Sequence, residues 1–261
     1  SLSVVVFAFG GIEIIGITAG EAQDPQRVIP RAINAVPLRI LLFYVLTLFV
    51  LMAIFPWQQI GSNGSPFVQI FDSVGVPVAA GILNFVCLTA VMSVYNSALY
   101  SNSRMLFSLA RQGNAPAYLG RVNKRGVPVA AVLTSAAVTV VAVFVVFLWP
   151  QFAFNYLMSI ATIAAIINWT MIMITEMLFR KRVAAGDGPG ELRGLRGDEA
   201  LAKIQFKLPG WRWMPYVIIA FLALVAVLMC FSPSYRIALV AGVVWLAVLF
   251  AAYALTQRAG R

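Results

Sequence analysis

The chain has 261 residues, 61% of them hydrophobic and only 11% charged, with a formal net charge of +10 and a mean hydropathy of +0.89. An average soluble domain is about 45–50% apolar and about 25% charged. Too few polar groups remain here to cover a water-soluble globule, and the composition suits a polytopic, all-α membrane protein.

A spanning helix takes about 20 apolar residues. Long uncharged stretches, divided by proline and glycine punctuation, predict seven such spans: about 1–22, 38–56, 78–110, 128–148, 153–178, 214–231 and 236–256. The first holds one deep carboxylate, Glu13. Pro56-Trp57 and the run from Gly61 to Pro66 close the second. Residues 64–76 then read as a short amphipathic helix, opened by Ser65-Pro66, with Phe67, Ile70, Phe71 and Val74 on its apolar face. Pro77 precedes the third span, Trp149-Pro150 separates the fourth from the fifth, and Ser232-Pro233 separates the last two. Residues 179–213, rich in glycine and mixed charge, read as a cytoplasmic linker with little need for structure, followed by Trp211 and Trp213 at a membrane interface. Ser1 stands directly inside an apolar run, which predicts a fragment that begins partway through a membrane helix.

The charges give an orientation. Of the 19 Lys and Arg residues, 18 fall in or beside the segments that follow the first, third, fifth and seventh spans, and only Arg236 lies on the other side. The positive-inside rule makes the first side cytoplasmic and places the C-terminus there. The basic balance thereby reports topology, and a nucleic-acid partner is not needed to explain it.

Several chemistries are excluded by residue type. Without histidine there is no His-based triad and no His-ligated zinc. Cys87 and Cys230 lie far apart inside apolar runs and form neither a metal motif nor a disulfide framework. The spans contain no carboxylate pair with which to run a membrane enzyme. No catalytic, cofactor or metal residue is expected.

Two sites remain informative. The first is Phe7, Ala8, Phe9, Gly10, Gly11, Ile12 and Glu13. Each glycine costs roughly 1 kcal/mol relative to alanine inside a helix, and a carboxylate at mid-membrane costs at least about 2.5 kcal/mol. Such a run is tolerated where a helix breaks beside a cavity and its backbone serves a ligand. Carbonyls at Phe7, Ala8 and Phe9 would then suit an ammonium, and N–H groups near Ile12 and Glu13 an anion. The plainer reading is close helix packing, since Gly16 and Gly20 continue a small-xxx-small spacing, but packing leaves Glu13 unexplained. Glu13 itself reads either as a carboxyl hydrogen-bonded within the bundle or as a proton-coupling or gating group. The second site is a polar stripe on the third span: Thr89, Ser93, Asn96, Tyr100 and Arg104 share one helical face, widened by Ser97, Ser101 and Asn102. Interhelical hydrogen bonding accounts for any one of them; as a set, Ser93, Asn96, Ser97 and Tyr100 are expected to line a pathway. Ser159, Thr162, Asn168 and Trp169 of the fifth span add a weaker signal. The mixed-charge run from Glu21 to Ala32, with Pro25 and Pro30, reads as an ordered loop or as a turn leading into an interfacial helix.

At these places the chain resembles the amino acid permeases of the amino acid–polyamine–organocation superfamily, bacterial aromatic amino acid permeases above all. The resemblance is carried by FAFGGIEIIGITAGEAQDPQRVIPRAIN at 7–34, SPFVQIFDSVG at 65–75 and LTAVMSVYNSALYSNSRMLFSLARQGNAPAYLGRVNKRGVPV at 88–129. It implies a twelve-helix transporter of two inverted five-helix repeats and two terminal helices, in which these spans are helices six to twelve. It also implies import of an amino acid with protons across the cytoplasmic membrane, with substrate binding at 7–13, and a missing N-terminal half as partner beside the lipid bilayer. Alone, such a chain is not expected to transport. Neutral substrates such as D-alanine, D-serine or glycine fit the same motifs. A seven-helix receptor or scaffold is the rival from another class, and it predicts an unbroken first helix.

Overall fold

The computed structural model describes residues 2–58, 65–73, 77–204, 207–231 and 233–259, and the described residues are helices and turns apart from one isolated β-bridge between Asp187 and Arg193. The chain divides into two compact units, residues 1–11 with 141–261, and residues 12–140.

The first unit is built on α8 (Pro150–Ala184), 35 residues long. Trp149, extended ahead of Pro150, ends the preceding helix, and the proline's fixed φ starts the new one where its missing N–H costs nothing. At 1.5 Å per residue α8 is about 50 Å long, more than the roughly 30 Å of a bilayer's hydrocarbon core. Against it stand α1 (Leu2–Ala8), α10 (Met214–Cys230) and α11 (Pro233–Ala259). Ile163 and Ile166 of α8, Val6 of α1, and Leu222, Val225 and Met229 of α10 form its buried apolar cluster, with Leu239 of α11 against it. Ser159 and Thr162 are buried on α8, about two turns and one turn before Ile166, and the Thr162 hydroxyl donates to the Met158 carbonyl at 2.8 Å. In lipid, where apolar burial gives helices no mutual attraction, this close fit is what holds them. At Gly242 of α11 a Cβ would stand 3.0 Å from Cγ1 of Ile163, so the absence of a side chain sets how near the two helices come.

The α8 C-terminus closes with the Gly186 N–H on the Val183 carbonyl and the Asp187 N–H on the Arg182 carbonyl, both at 3.0 Å, with φ of Gly186 at +96°. The following segment, expected to be a linker with little need for structure, carries helical elements among its described residues. A 3₁₀ turn (Gly190–Leu192) leads to α9 (Gly197–Ala202), whose Ala200 is fully buried, as is Val183.

The second unit contains α2 (Ile14–Ile17) with a 3₁₀ turn behind it (Thr18–Glu21), then α3 (Pro25–Ile40), a π-helical turn (Leu41–Val45) and α4 (Leu46–Ile54). The short α5 (Pro66–Ser73) starts at Pro66 as expected; Val74 lies outside the described residues. α6 (Pro77–Arg111) is followed by a 3₁₀ turn (Ala117–Gly120) with Leu119 buried. α7 (Val129–Leu148) crosses the division between the units.

Among the described residues, four helices are long and apolar enough to cross a membrane: Pro25–Ile54, Gly81–Arg111, Val129–Leu148 and Tyr156–Ala184. Met214–Cys230 and Leu239–Ala251 are shorter apolar helices. The first expected span is interrupted between Ala8 and Ile14, and α10 has 17 residues, about 26 Å of rise. The helix that carries the second expected span starts at Pro25, well before 38, with Pro30 and Pro37 inside it and Arg27, Arg31 and Arg39 along it. The run Glu21–Ala32 is therefore mostly helix from Pro25 onward rather than an ordered loop.

Candidate functional site

α1 ends at Ala8 and helical geometry resumes only at Ile14. Between them the backbone turns at the glycine pair. Gly11 has φ +99°, a conformation that side chains rarely adopt, and at Gly10 a Cβ would stand 3.1 Å from the Phe7 carbonyl oxygen. The two glycines thus serve different needs, one a dihedral and one a close approach. The Phe9 N–H donates to the Val6 carbonyl at 3.2 Å and the Gly10 N–H to the Phe7 carbonyl at 3.0 Å. The expectation of open carbonyls therefore needs correction at Phe7, whose oxygen is already engaged. On the far side of the break the Glu13 carbonyl accepts the N–H groups of Gly16 and Ile17 at 3.0 and 3.3 Å. Phe7 and Ile12 are exposed, and Phe9 and Glu13 half-buried. Phe7 to Gly11 belong to the first unit, Ile12 and Glu13 to the second.

The polar stripe of α6 divides in two. Towards the C-terminal end, Asn96, Tyr100, Ser103 and Arg104 line a cavity of about 300 Å³ together with Gly126 to Pro128 and Val132 ahead of and within α7. The facing turn is pinned by Asn123, whose Oδ1 accepts the N–H groups of Arg125 and Val127 at 2.9 and 3.0 Å, an arrangement suited to a short polar side chain in a loop. The Arg104 guanidinium lies 5.6 Å from the centre of the Tyr100 ring. Towards the N-terminal end, Ser97 donates to the Ser93 carbonyl at 3.0 Å and Thr89 to the Val86 carbonyl at 2.9 Å. These hydroxyls satisfy themselves on their own helix. The structure thus brings Asn96 and Tyr100 to one cavity and leaves Ser93 and Ser97 exposed outside it. Ser159 and Thr162 are buried in the first unit and do not belong to this cavity.

A third cluster escaped the sequence reading. Glu176 and Arg180, one turn apart on α8, form an ion pair; Arg180 lies 4.6 Å from the centre of the Trp211 ring, and Arg212 5.2 Å from it. Arg212 also bonds Asp198 of α9 at 2.9 Å. The i, i+4 spacing of Glu176 and Arg180 was a readable signal; the contact with Trp211, 31 residues further on, was not.

The amino acid permease family profile matches residues 1–261. Over 253 residues the chain is 44% identical to the uncharacterized amino acid permease YtnA of Bacillus subtilis, covering 97% of this chain and 52% of that protein. It is 42% identical to the amino-acid permease AapA of the same species, over 100% of this chain and 53% of AapA. With the aromatic amino acid transport protein AroP of Escherichia coli K12 it shares 41% identity, over 100% of this chain and 54% of AroP. The chain therefore spans about half the length of these curated relatives. No solved structure matches it.

Proposed function

The chain belongs to the amino acid permease family, and from that premise we propose that it forms the second half of a secondary transporter that imports an amino acid with protons across the cytoplasmic membrane. In this reading its helices are numbers six to twelve of a twelve-helix fold, seven spans comprising the second inverted repeat and the terminal pair, with the C-terminus cytoplasmic. The sorting of the basic residues supports the orientation. The match to about half the length of the relatives supports a share of about half of such a fold.

The observation that carries the proposal is the interruption between Ala8 and Ile14 in an otherwise apolar segment. A helix that stops inside a membrane segment presents backbone carbonyls at its C-terminal end, with the negative end of its dipole, and these suit a substrate ammonium. N–H groups near Ile12 and Glu13 suit the carboxylate. Both groups are common to every α-amino acid, so this part of the site recognises the class. Phe7 and Phe9 supply apolar surface for the side chain, and Ser93, Asn96, Ser97 and Tyr100 of α6 line a pathway. Glu13 is the group that takes up or gates the proton. The likeness to AroP favours an aromatic substrate, and AapA keeps other amino acids in view.

Uptake of labelled phenylalanine into proteoliposomes tests the reading, with D-alanine, D-serine and glycine as competitors. The complete transporter containing this chain is expected to show saturable uptake driven by an inward proton gradient, and the chain alone is expected to show none. Saturable uptake by the chain alone would remove the half-transporter reading. Competition by the small amino acids but not by phenylalanine would move the substrate from aromatic to small neutral.

A further inference from the structure

We propose that Lys181 and Arg212 hold the phosphate of an anionic phospholipid, of the phosphatidylglycerol class, in the cavity between the end of α8 and the start of α10. The cavity has a volume of about 550 Å³ and lies wholly within the first unit. It stands where two uncharged segments stop. One runs from Gly126 to Thr175 and gives way at Glu176; the other runs from Trp213 to Tyr235, directly after Arg212. Both charged boundaries line the cavity, which puts it at the level where hydrocarbon meets headgroups. Met177, Leu178 and Pro215 give it an apolar side along which acyl chains can leave. Trp211 and Tyr216 line it as well, and amphipathic rings of this kind collect at that depth.

Five charged residues line the cavity, and they divide by access. Glu176 and Arg180 are paired with each other, and Trp211 lies over the Arg180 guanidinium. Nη1 of Arg180 and Oε2 of Glu176 are buried, so this pair is a closed, neutral piece of wall. Arg212 and Asp198 are paired at 2.9 Å, but in the open, with side chains 67% and 83% exposed. An exposed pair of this kind is weak. A guanidinium also has five N–H donors, and the Asp198 oxygen engages one end of it. Lys181, exposed near the end of α8, brings the cations to three against two carboxylates. The positive charge in excess is thus carried by groups that a ligand can reach.

A phosphodiester anion suits both, its oxygens accepting from Nζ of Lys181 and from the Arg212 guanidinium. Phosphatidylglycerol brings that anion with hydroxyls and no cation, so one negative charge answers one positive. Phosphatidylethanolamine and phosphatidylcholine each carry an ammonium beside the phosphate, which cancels the charge and sets a cation against Lys181 and Arg212. A soluble phosphate ester has the anion but no chains for the apolar side. Basic pockets between membrane helices at headgroup level are ready sites for anionic lipids.

Native mass spectrometry of the complete transporter containing this chain, delipidated and titrated separately with the three lipids, tests this. One net charge at headgroup level is worth about fivefold, so phosphatidylglycerol should be retained about fivefold more strongly than either zwitterionic lipid. Lys181→Gln should bring it down to the level of phosphatidylcholine with an unchanged unfolding midpoint, and Lys181→Arg should keep the preference. Arg212→Gln should act in the same direction as Lys181→Gln. Charges removed elsewhere, by Arg121→Gln with Lys124→Gln at exposed positions of the second unit, should leave the preference intact. Equal retention of the three lipids, or a preference that survives Lys181→Gln, overturns the proposal. An equal loss in the Arg121 and Lys124 variant overturns it as well, since the preference would then come from the basic surface at large. Displacement of the lipid by millimolar glycerol phosphate does so too, because the occupant would then be a soluble phosphate ester.

Discussion

Gly10–Gly11 and Gly242 are the same residue type in similar apolar surroundings, and they do opposite things. At Gly10–Gly11 the helix stops, because Gly11 turns at φ +99° and Gly10 lets the backbone come within contact of the Phe7 carbonyl. At Gly242 the helix runs on undisturbed, and the missing side chain lets Ile163 of α8 come close. What separates them is the company they keep. The pair is followed by Ile12 and a carboxylate, which a lipid-facing helix would not carry; Gly242 is followed by Val243, Val244 and Trp245, which it would. In a membrane helix a glycine therefore marks either an opening of the backbone or a helix contact, and the nearest polar residue says which.

This contrast can be broken by experiment. The largest effect is expected for Gly11→Ala in the complete transporter. The positive φ is strained for alanine by about 1–2 kcal/mol, and relief of that strain reshapes the turn. Uptake should fall tenfold or more while the protein still inserts and purifies normally; wild-type uptake by this variant would show that the turn is not part of the site. Next comes Glu13→Gln, measured as initial uptake against external pH. The variant should lose most of its response to the proton gradient, and an unchanged profile removes Glu13 from coupling. Asn96→Ala should raise KM for uptake several-fold, whereas Ser97→Ala, at a hydroxyl already bonded to the Ser93 carbonyl, should leave it close to wild type. The smallest effect on uptake is expected for Gly242→Ala. Its added methyl overpacks against Ile163 by about 1–3 kcal/mol, so the unfolding midpoint in detergent should drop by a few degrees while KM stays put. A drop in uptake without a drop in the midpoint would place Gly242 with Gly11 rather than against it.

Much of this architecture can be read from the residues, for reasons that are local. Trp149-Pro150 divides two helices because proline cannot continue the first and pre-forms the second, and Pro66 starts α5 for the same reason. The interruption at Phe9–Glu13 is legible because glycine pairs and carboxylates carry a known cost in lipid. The differences are equally instructive. Arg27, Arg31 and Arg39 read as the cytoplasmic segment that follows the first span, and in the structure they lie on a helix that runs on beneath them, as long basic side chains allow. Pro30, expected at the opening of an interfacial helix, lies inside one that already begins at Pro25. Glycine and mixed charge give the segment after α8 the local character of a linker. What orders it is non-local, above all Arg180 against Trp211, and no pattern within a few residues announces that contact. The α6 stripe shows the same limit. Spacing assigns its residues to one face, but which of them meet a cavity depends on the turn that Asn123 ties some 20 residues further along.

The π-helical turn at Leu41–Val45 has a consequence for the face that the helix beyond it shows. Such a turn holds one residue more than an α turn, so everything after it is advanced by one residue, about 100° around the axis. Leu51 is buried at 4% exposure, with Val50 at 45% and Met52 at 58% on either side of it. Were the ladder α-helical throughout, Val50 would stand at the inward position and Leu51 would look outward. The extra residue works as an indexing step, which lets one uninterrupted rod present one side at its start and a different side at its end.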